Sequence, residues 1–255
     1  ARWTAGIHRF VLSLNAVTEK VDFQTTLTPH PISLKEWDHY DEDPANQRPK
    51  VVMDEFMFVI APRENIRTFF RNGKQFDDMM DTYRATENME VISCNGPNGD
   101  FLEPFGKINN FGDKITEETM LHYSLGSFLL VKKDKPKWYF GYRRNKADPG
   151  TPWMPEYDSM LSKDSFGHLN LGKEVGLYTI LERASGKLYY RKFEHGAVLV
   201  NPGKVTQDIN TQELLGHKVK IITRANLKQP LDKISNTSVV IVPRLQARFV
   251  RYSLQ

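Results

Sequence analysis

The chain has 255 residues, 40% of them hydrophobic and 26% charged, which is enough to bury a full core and fits one large or two modest globular domains. Its apolar runs stay short of the roughly 20 residues that span a bilayer, and a single cysteine, Cys94, excludes an internal disulfide framework or a cysteine-built zinc site. The net charge of +4 conceals a division: residues 183–255 hold 13 Lys and Arg against 4 Asp and Glu, whereas residues 1–182 hold 22 against 27. Such a contrast points to two parts of different kind. The basic part has three classes of partner open to it: a polyanion, an acidic partner chain, or the acidic part of the same molecule.

Residues 1–20 place Trp3, Ile7, Phe10, Val11, Leu14 and Val17 at a 3.6-residue period, which predicts an amphipathic helix. Residues 21–27 alternate and predict a strand, ended by Thr28-Pro29-His30-Pro31. A polar, acidic loop follows, holding Trp37, His39, Tyr40, Asp41 and Asp43. Residues 50–60 are almost continuously apolar, as in a strand buried on both faces. Residues 65–87 have helical period with a break at Asn72-Gly73, and 89–94 form a short strand that runs into the turn-rich Asn95-Gly96-Pro97-Asn98-Gly99-Asp100. Residues 116–131 predict a helix with Thr116 as N-cap and Glu117-Glu118 in its first turn. Residues 138–142 are an aromatic strand. Helix and strand alternate, so residues 1–144 read as a parallel α/β unit of four strands.

Residues 145–176 carry Pro149, Gly150, Pro152 and Pro155 and read as an irregular linker. Beyond it, strands recur without helices at 177–182, 188–193, 197–200, 218–222, 238–242 and 247–252, which predicts an antiparallel β-domain over residues 177–255. Its clearest element is a hairpin of 188–193 and 197–200 around Glu194-His195-Gly196, with Gly196 assigned the positive φ of a tight turn. Asn201-Pro202 stops the second strand.

Several of these stretches form a pattern: Trp153-Met154-Pro155-Glu156-Tyr157-Asp158, then Leu171-Gly172-Lys173-Glu174-Val175-Gly176, Tyr189-Tyr190-Arg191-Lys192-Phe193, His195-Gly196 and Val198-Leu199-Val200-Asn201-Pro202. This resembles the C-terminal part of glycoside-hydrolase-like proteins built from a (β/α)8 barrel and a C-terminal β-domain. Leu125-Gly126-Ser127-Phe128-Leu129-Leu130 before Trp138-Tyr139-Phe140 looks like the last helix and strand of such a barrel. The stretch beginning at Val51 looks like a late barrel strand. The resemblance implies an α/β part followed by an all-β part: half of a TIM-type barrel, then an antiparallel β-domain. The first four barrel strands have no counterpart, so it also implies a partner chain that completes the barrel.

Glycoside hydrolysis uses two carboxylates flanking the scissile bond, and barrel enzymes carry them at the C-terminal ends of strands. Asp54 and Glu55 lie inside the apolar strand run of residues 50–60, where an unpaired charge is costly. Strand alternation sends one toward the barrel interior and the other toward the helices. Glu55, with the longer arm, is the favoured acid/base, Asp54 the alternative, and structural pairing of both with Lys or Arg is the bland reading. Asp100 is a candidate second carboxylate. Asn95, Trp37 and Tyr142 are candidate sugar contacts, by hydrogen bond or ring stacking. Lys218, Lys220, Arg244, Arg248 and Arg251 are the cations a polyanion or partner would meet; no nucleic-acid motif accompanies them. No metal-ligand spacing or phosphate loop is present, so no cofactor is expected. A non-catalytic scaffold subunit keeping the same shape is the alternative to an enzyme. The absence of an initiator Met and the N-glycosylation triplet Asn236-Thr237-Ser238 lean toward a processed, secreted or organellar chain.

Overall fold

The computed structural model describes residues 9–14, 21–24, 51–55, 59–60, 69–70, 72–84, 90–95, 108–109, 111–133, 138–142, 154–161 and 168–253. Its first part runs β1 (Arg9–Leu14), β2 (Val21–Gln24), β3 (Val51–Glu55), β4 (Val59–Ile60), β5 (Phe69–Phe70), α1 (Lys74–Arg84), β6 (Glu90–Asn95), α2 (Glu117–Val131), β7 (Trp138–Tyr142) and α3 (Pro155–Leu161). Five of the strands form one sheet in the order β2-β1-β3-β6-β7. The pairs β3–β6 and β6–β7 are parallel, with α1 and α2 as their crossovers.

Among the described residues three parallel strands are therefore present, where four were expected. β2 pairs antiparallel with β1, and β1 pairs antiparallel with β3. The predicted helix over 1–20 is instead strand β1 across its described residues. Phe10, Leu12 and Leu14 also recur with period two, and pairing on β3 selects that period over the helical one. Two further predictions are divided by pairing. The 50–60 run breaks into β3 and β4, and the 65–87 helix begins only at Lys74, because Phe69–Phe70 pairs with Val59–Ile60. The stretch read as an irregular linker contains α3, and Met154, Glu156, Ser159, Leu169 and Leu171 around it are buried.

The second part holds β8 (Thr179–Arg183), β9 (Gly186–Phe193), β10 (Gly196–Asn201), β11 (Gln207–Asn210), α4 (Thr211–Leu215), β12 (Val219–Ile222), β13 (Val239–Val242) and β14 (Gln246–Tyr252). A fully antiparallel sheet runs β12-β14-β10-β9-β8, and β11 pairs with β13. All six predicted strands are present. β11 and α4 were missed, and α4 corrects the reading that no helix occurs here; Asn210 caps it through its side-chain oxygen. The hairpin β9–β10 turns through Glu194-His195 alone. Gly196 does not take a positive φ. It is required for close approach: a Cβ there would run into the carbonyl of Val250 on β14 and lie 2.9 Å from Leu171 Cδ2. Asn201 ends β10 and holds the neighbouring chain, donating to the carbonyls of Val205 and Val242 at 2.9 Å each and accepting from Gly203 N–H.

Every residue of β10 is buried, because its sheet is covered on both faces. One face, with Val198, Val200, Ala247 and Phe249, packs in the core that contains α2. The other, with Ala197, Leu199 and Val250, packs with Ile209, Leu215, Val240 and Val242 of β11, α4 and β13. Helix α2 is buried at every position from Met120 to Val131. It lies between the antiparallel sheet and the parallel strands, with Phe128 meeting Phe140 of β7 at 5.4 Å. α1 packs beside it through Phe76, whose ring lies 6.0 Å from Tyr123 and 5.0 Å from Tyr189 of β9.

Gly126 sets how closely α2 approaches the β-domain. A Cβ there would lie 2.6 Å from Ala247 Cβ and 3.3 Å from the Cγ2 atoms of Val198 and Val200. In Gly126→Ala the helix gains about 1 kcal/mol of propensity, while overpacking against a Cβ that cannot rotate away costs ~1–3 kcal/mol. We expect a net loss, read as a lower urea midpoint at unchanged m-value, and partial recovery in the double variant with Ala247→Gly.

Candidate functional site

The parallel strands finish at one edge of their sheet. β3 ends at Glu55, β6 at Asn95 and β7 at Tyr142. Position 54 is in register with 93 and 140, position 55 with 94 and 141, and position 95 with 142. Alternation puts 54, 93, 95, 140 and 142 on one face and 55, 94 and 141 on the other. Phe140 identifies the faces, since its ring packs on Phe128 of α2 and, at 6.2 Å, on Tyr157 of α3. Position 54 thus belongs to the face turned toward the helices and position 55 to the opposite one. Glu55, Asn95 and Tyr142 come together as backbone positions at this edge; Asp100 and Trp37 lie outside the described residues.

A second polar cluster, which the sequence reading missed, forms where α2, α3 and the β-domain meet. Thr116 caps α2 by a reciprocal pair of 3.1 Å hydrogen bonds with Thr119, leaving Glu117 and Glu118 in the first turn, where the helix dipole favours them. Arg224, after β12, reaches back to this turn. Its Nη1 donates to Glu117 Oε2 at 2.7 Å, its Nε to Glu156 Oε1 at 2.8 Å, and its backbone N–H to Glu118 Oε1 at 2.9 Å. Glu156, fully buried on α3, also lies 3.1 Å from His122 Nε2. Burial opposes the charge on Glu156, but hydrogen bonds from His122 and Arg224, and their fields, outweigh it and bring its pKa from 4.5 down to about 2. Among the described residues this is a joint that holds a charge, not a reservoir of protons. Its members stand 34 and 68 residues apart, so the single local sign was His122 one turn after Glu118.

Of the five flagged cations, Lys218 is exposed and the others are half-buried. Arg244 grips Asp113 with two bonds of 2.6 and 2.7 Å and holds it below the usual carboxylate range. Lys220 donates to the carbonyl of Ile234, Arg251 to that of Asn170, and Arg248 to that of Ala247 at 3.1 Å. Lys187 adds a bridge to Asp77 of α1 at 2.8 Å, and Tyr189 donates to the same carboxylate. Among the described residues no group of three or more His, Cys, Asp and Glu is placed to hold a metal ion, and no helix is long and apolar enough to cross a membrane.

Residues 37–197 match a family model described as hypothetical glycosyl hydrolase family 15. The match covers well over half of the chain, from the acidic loop before β3 through the parallel strands, α2 and α3 to the first residues of β10. No curated protein matches the chain.

The joint predicts an acid-labile interface. A folded pKa of about 2 against an ordinary 4.5 stabilises the fold above pH 4.5, and the contribution is lost as pH falls through the folded value. Stability should drop by on the order of 3 kcal/mol from this group between pH 5 and pH 2. In Glu156→Gln the protein should be weaker at pH 7 and its pH dependence in that window flatter, as followed by urea unfolding at a series of pH values.

Proposed function

The chain belongs to hypothetical glycosyl hydrolase family 15, and from that premise we propose a carbohydrate-active protein that hydrolyses glycosidic bonds with Glu55 as its acid/base carboxylate. The observation that carries the choice is register. Glu55 ends a parallel strand on the face away from α2, while Asp54 shares the helix-ward face with Phe140. In strand-and-helix sheets of this kind chemistry gathers at the strand C-termini. Asn95 and Tyr142 end the next two strands on the helix-ward face, opposite to Glu55, so they are not assigned to the sugar, and Asp100 and Trp37 remain candidates by sequence alone.

Among the described residues the sheet carries three parallel strands and does not close. The proposal therefore includes a second protein chain that supplies the remaining strands, docking at β7 or at the β1–β2 side of the sheet. That same shortfall supports the second reading, a non-catalytic scaffold subunit built into a larger assembly.

The test is hydrolysis of a panel of aryl glycosides and polysaccharides by the full chain, alone and with any co-purifying partner. Glu55→Gln should lower kcat by about 10²–10⁴-fold, and Asp54→Asn by less than about tenfold. Equal losses in the two variants would remove the assignment of Glu55. A wild-type assembly that cleaves nothing would leave the scaffold reading.

A further inference from the structure

Away from the strand-end edge, a cleft of about 190 Å³ opens between the first turn of α2, the corner after β12 and the start of β14. Glu118, Thr119, His122, Thr223, Gln246 and Arg248 line it. Its polar groups are not all used by the fold. Glu118 accepts from Arg224 N–H on Oε1, and its Oε2 takes no hydrogen bond from the described residues. The half-buried Arg248 uses one N–H on the carbonyl of Ala247 at 3.1 Å and binds no carboxylate among them. The amide of Gln246 makes no hydrogen bond within them. His122 is 5% exposed; Glu156 holds its Nε2, while its Nδ1 stands 3.9 Å from Glu118 Oε1, beyond hydrogen-bond reach. Burial lowers the pKa of Arg248 and Glu118 opposes the shift, as befits a cation held without a close partner.

We propose that this cleft binds one neutral sugar ring. The site offers one anion and one cation side by side, so an isolated phosphate would meet Glu118 and an isolated ammonium would meet Arg248. A vicinal diol satisfies both: one hydroxyl donates to the free oxygen of Glu118 and its neighbour accepts from Arg248. A third hydroxyl meets Gln246, which both donates and accepts. The volume is below the ~300–1,000 Å³ of drug-sized pockets and admits a single ring, not a length of chain. The choice of a sugar over another neutral polyol rests on the proposed carbohydrate activity. The cleft is an accessory hold for a terminal or branch residue, separate from the reacting end.

The experiment is a saturation-transfer NMR titration of the full chain carrying Glu55→Gln, which keeps any sugar intact. The probes are the methyl glycosides of glucose, galactose and mannose, with glycine and inorganic phosphate beside them. At least one glycoside should saturate in the millimolar range, with a shifted His122 imidazole resonance. Gln246→Leu, which removes no bond within the described residues, and Arg248→Gln should each weaken it at least tenfold. Saturation by glycine or phosphate but by no glycoside would overturn the proposal, because the cleft would then select charge. Glycoside binding that ignores both variants would also overturn it, placing the sugar elsewhere while leaving the catalytic reading intact. Loss of hydrolysis specificity for Glu55, in contrast, would leave this titration unchanged.

Discussion

A helix that is apolar on every side has no face to give to water, and helix α2 is such a helix. Twelve consecutive positions, Met120 to Val131, are buried, so the elements around it must cover it completely. The parallel strands do so on one side through Phe140, and β10 and β14 on the other through Val198, Val200, Ala247 and Phe249. Removing either cover would return large apolar side chains to water at roughly 1.5–3 kcal/mol each. The two parts of the chain are thus not independent layers that happen to touch. They share a core whose centre is one helix, and Gly126 fixes the distance between helix and sheet.

Both ends of that helix are closed by arginines from the β-domain. Arg191 of β9, itself buried, donates to the carbonyls of Leu129 and Lys132 in the last turn and to Gly176 at 3.0 Å. Arg224 takes the acidic first turn. Cations at the carbonyl end and carboxylates at the amide end are the arrangement the helix dipole favours. Together with Arg244–Asp113 and Lys187–Asp77, these bonds account for part of the charge division read in the sequence. The basic C-terminal part meets the acidic part of its own chain, one of the three partners its composition allowed.

What the sequence disclosed followed from local chemistry. The N-cap at Thr116, the apolar helix behind it, the β9–β10 hairpin and the strands of the β-domain each carry their cause within a few residues. What it did not disclose depends on distant pairing. Residues 9–14 satisfy both periods, and β3, some forty residues away, decides between them. Gly196 was read as a turn glycine because turn chemistry is local, whereas its role is set by the backbone of β14. The joint of His122, Glu156 and Arg224 was invisible for the same reason, since nothing in α3 alone says that an arginine 68 residues on will neutralise Glu156.

That joint also bears on where chemistry can reside. A general acid in glycoside hydrolysis needs a carboxyl pKa raised toward neutrality. Glu156 is driven the other way, to about 2, and Asp113 is likewise lowered by Arg244. Glu117 and Asp77 are held by Arg224 and Lys187. Glu156 and Asp113 are therefore poor proton donors by the same bonds that make them good struts. The proposal for Glu55 avoids that conflict, because its position falls on the face of the sheet away from Phe140 and the helices. The division of labour proposed for Glu55 matches this: the helix-ward face packs the core through Phe140, and the proposed acid/base sits at a position on the opposite face.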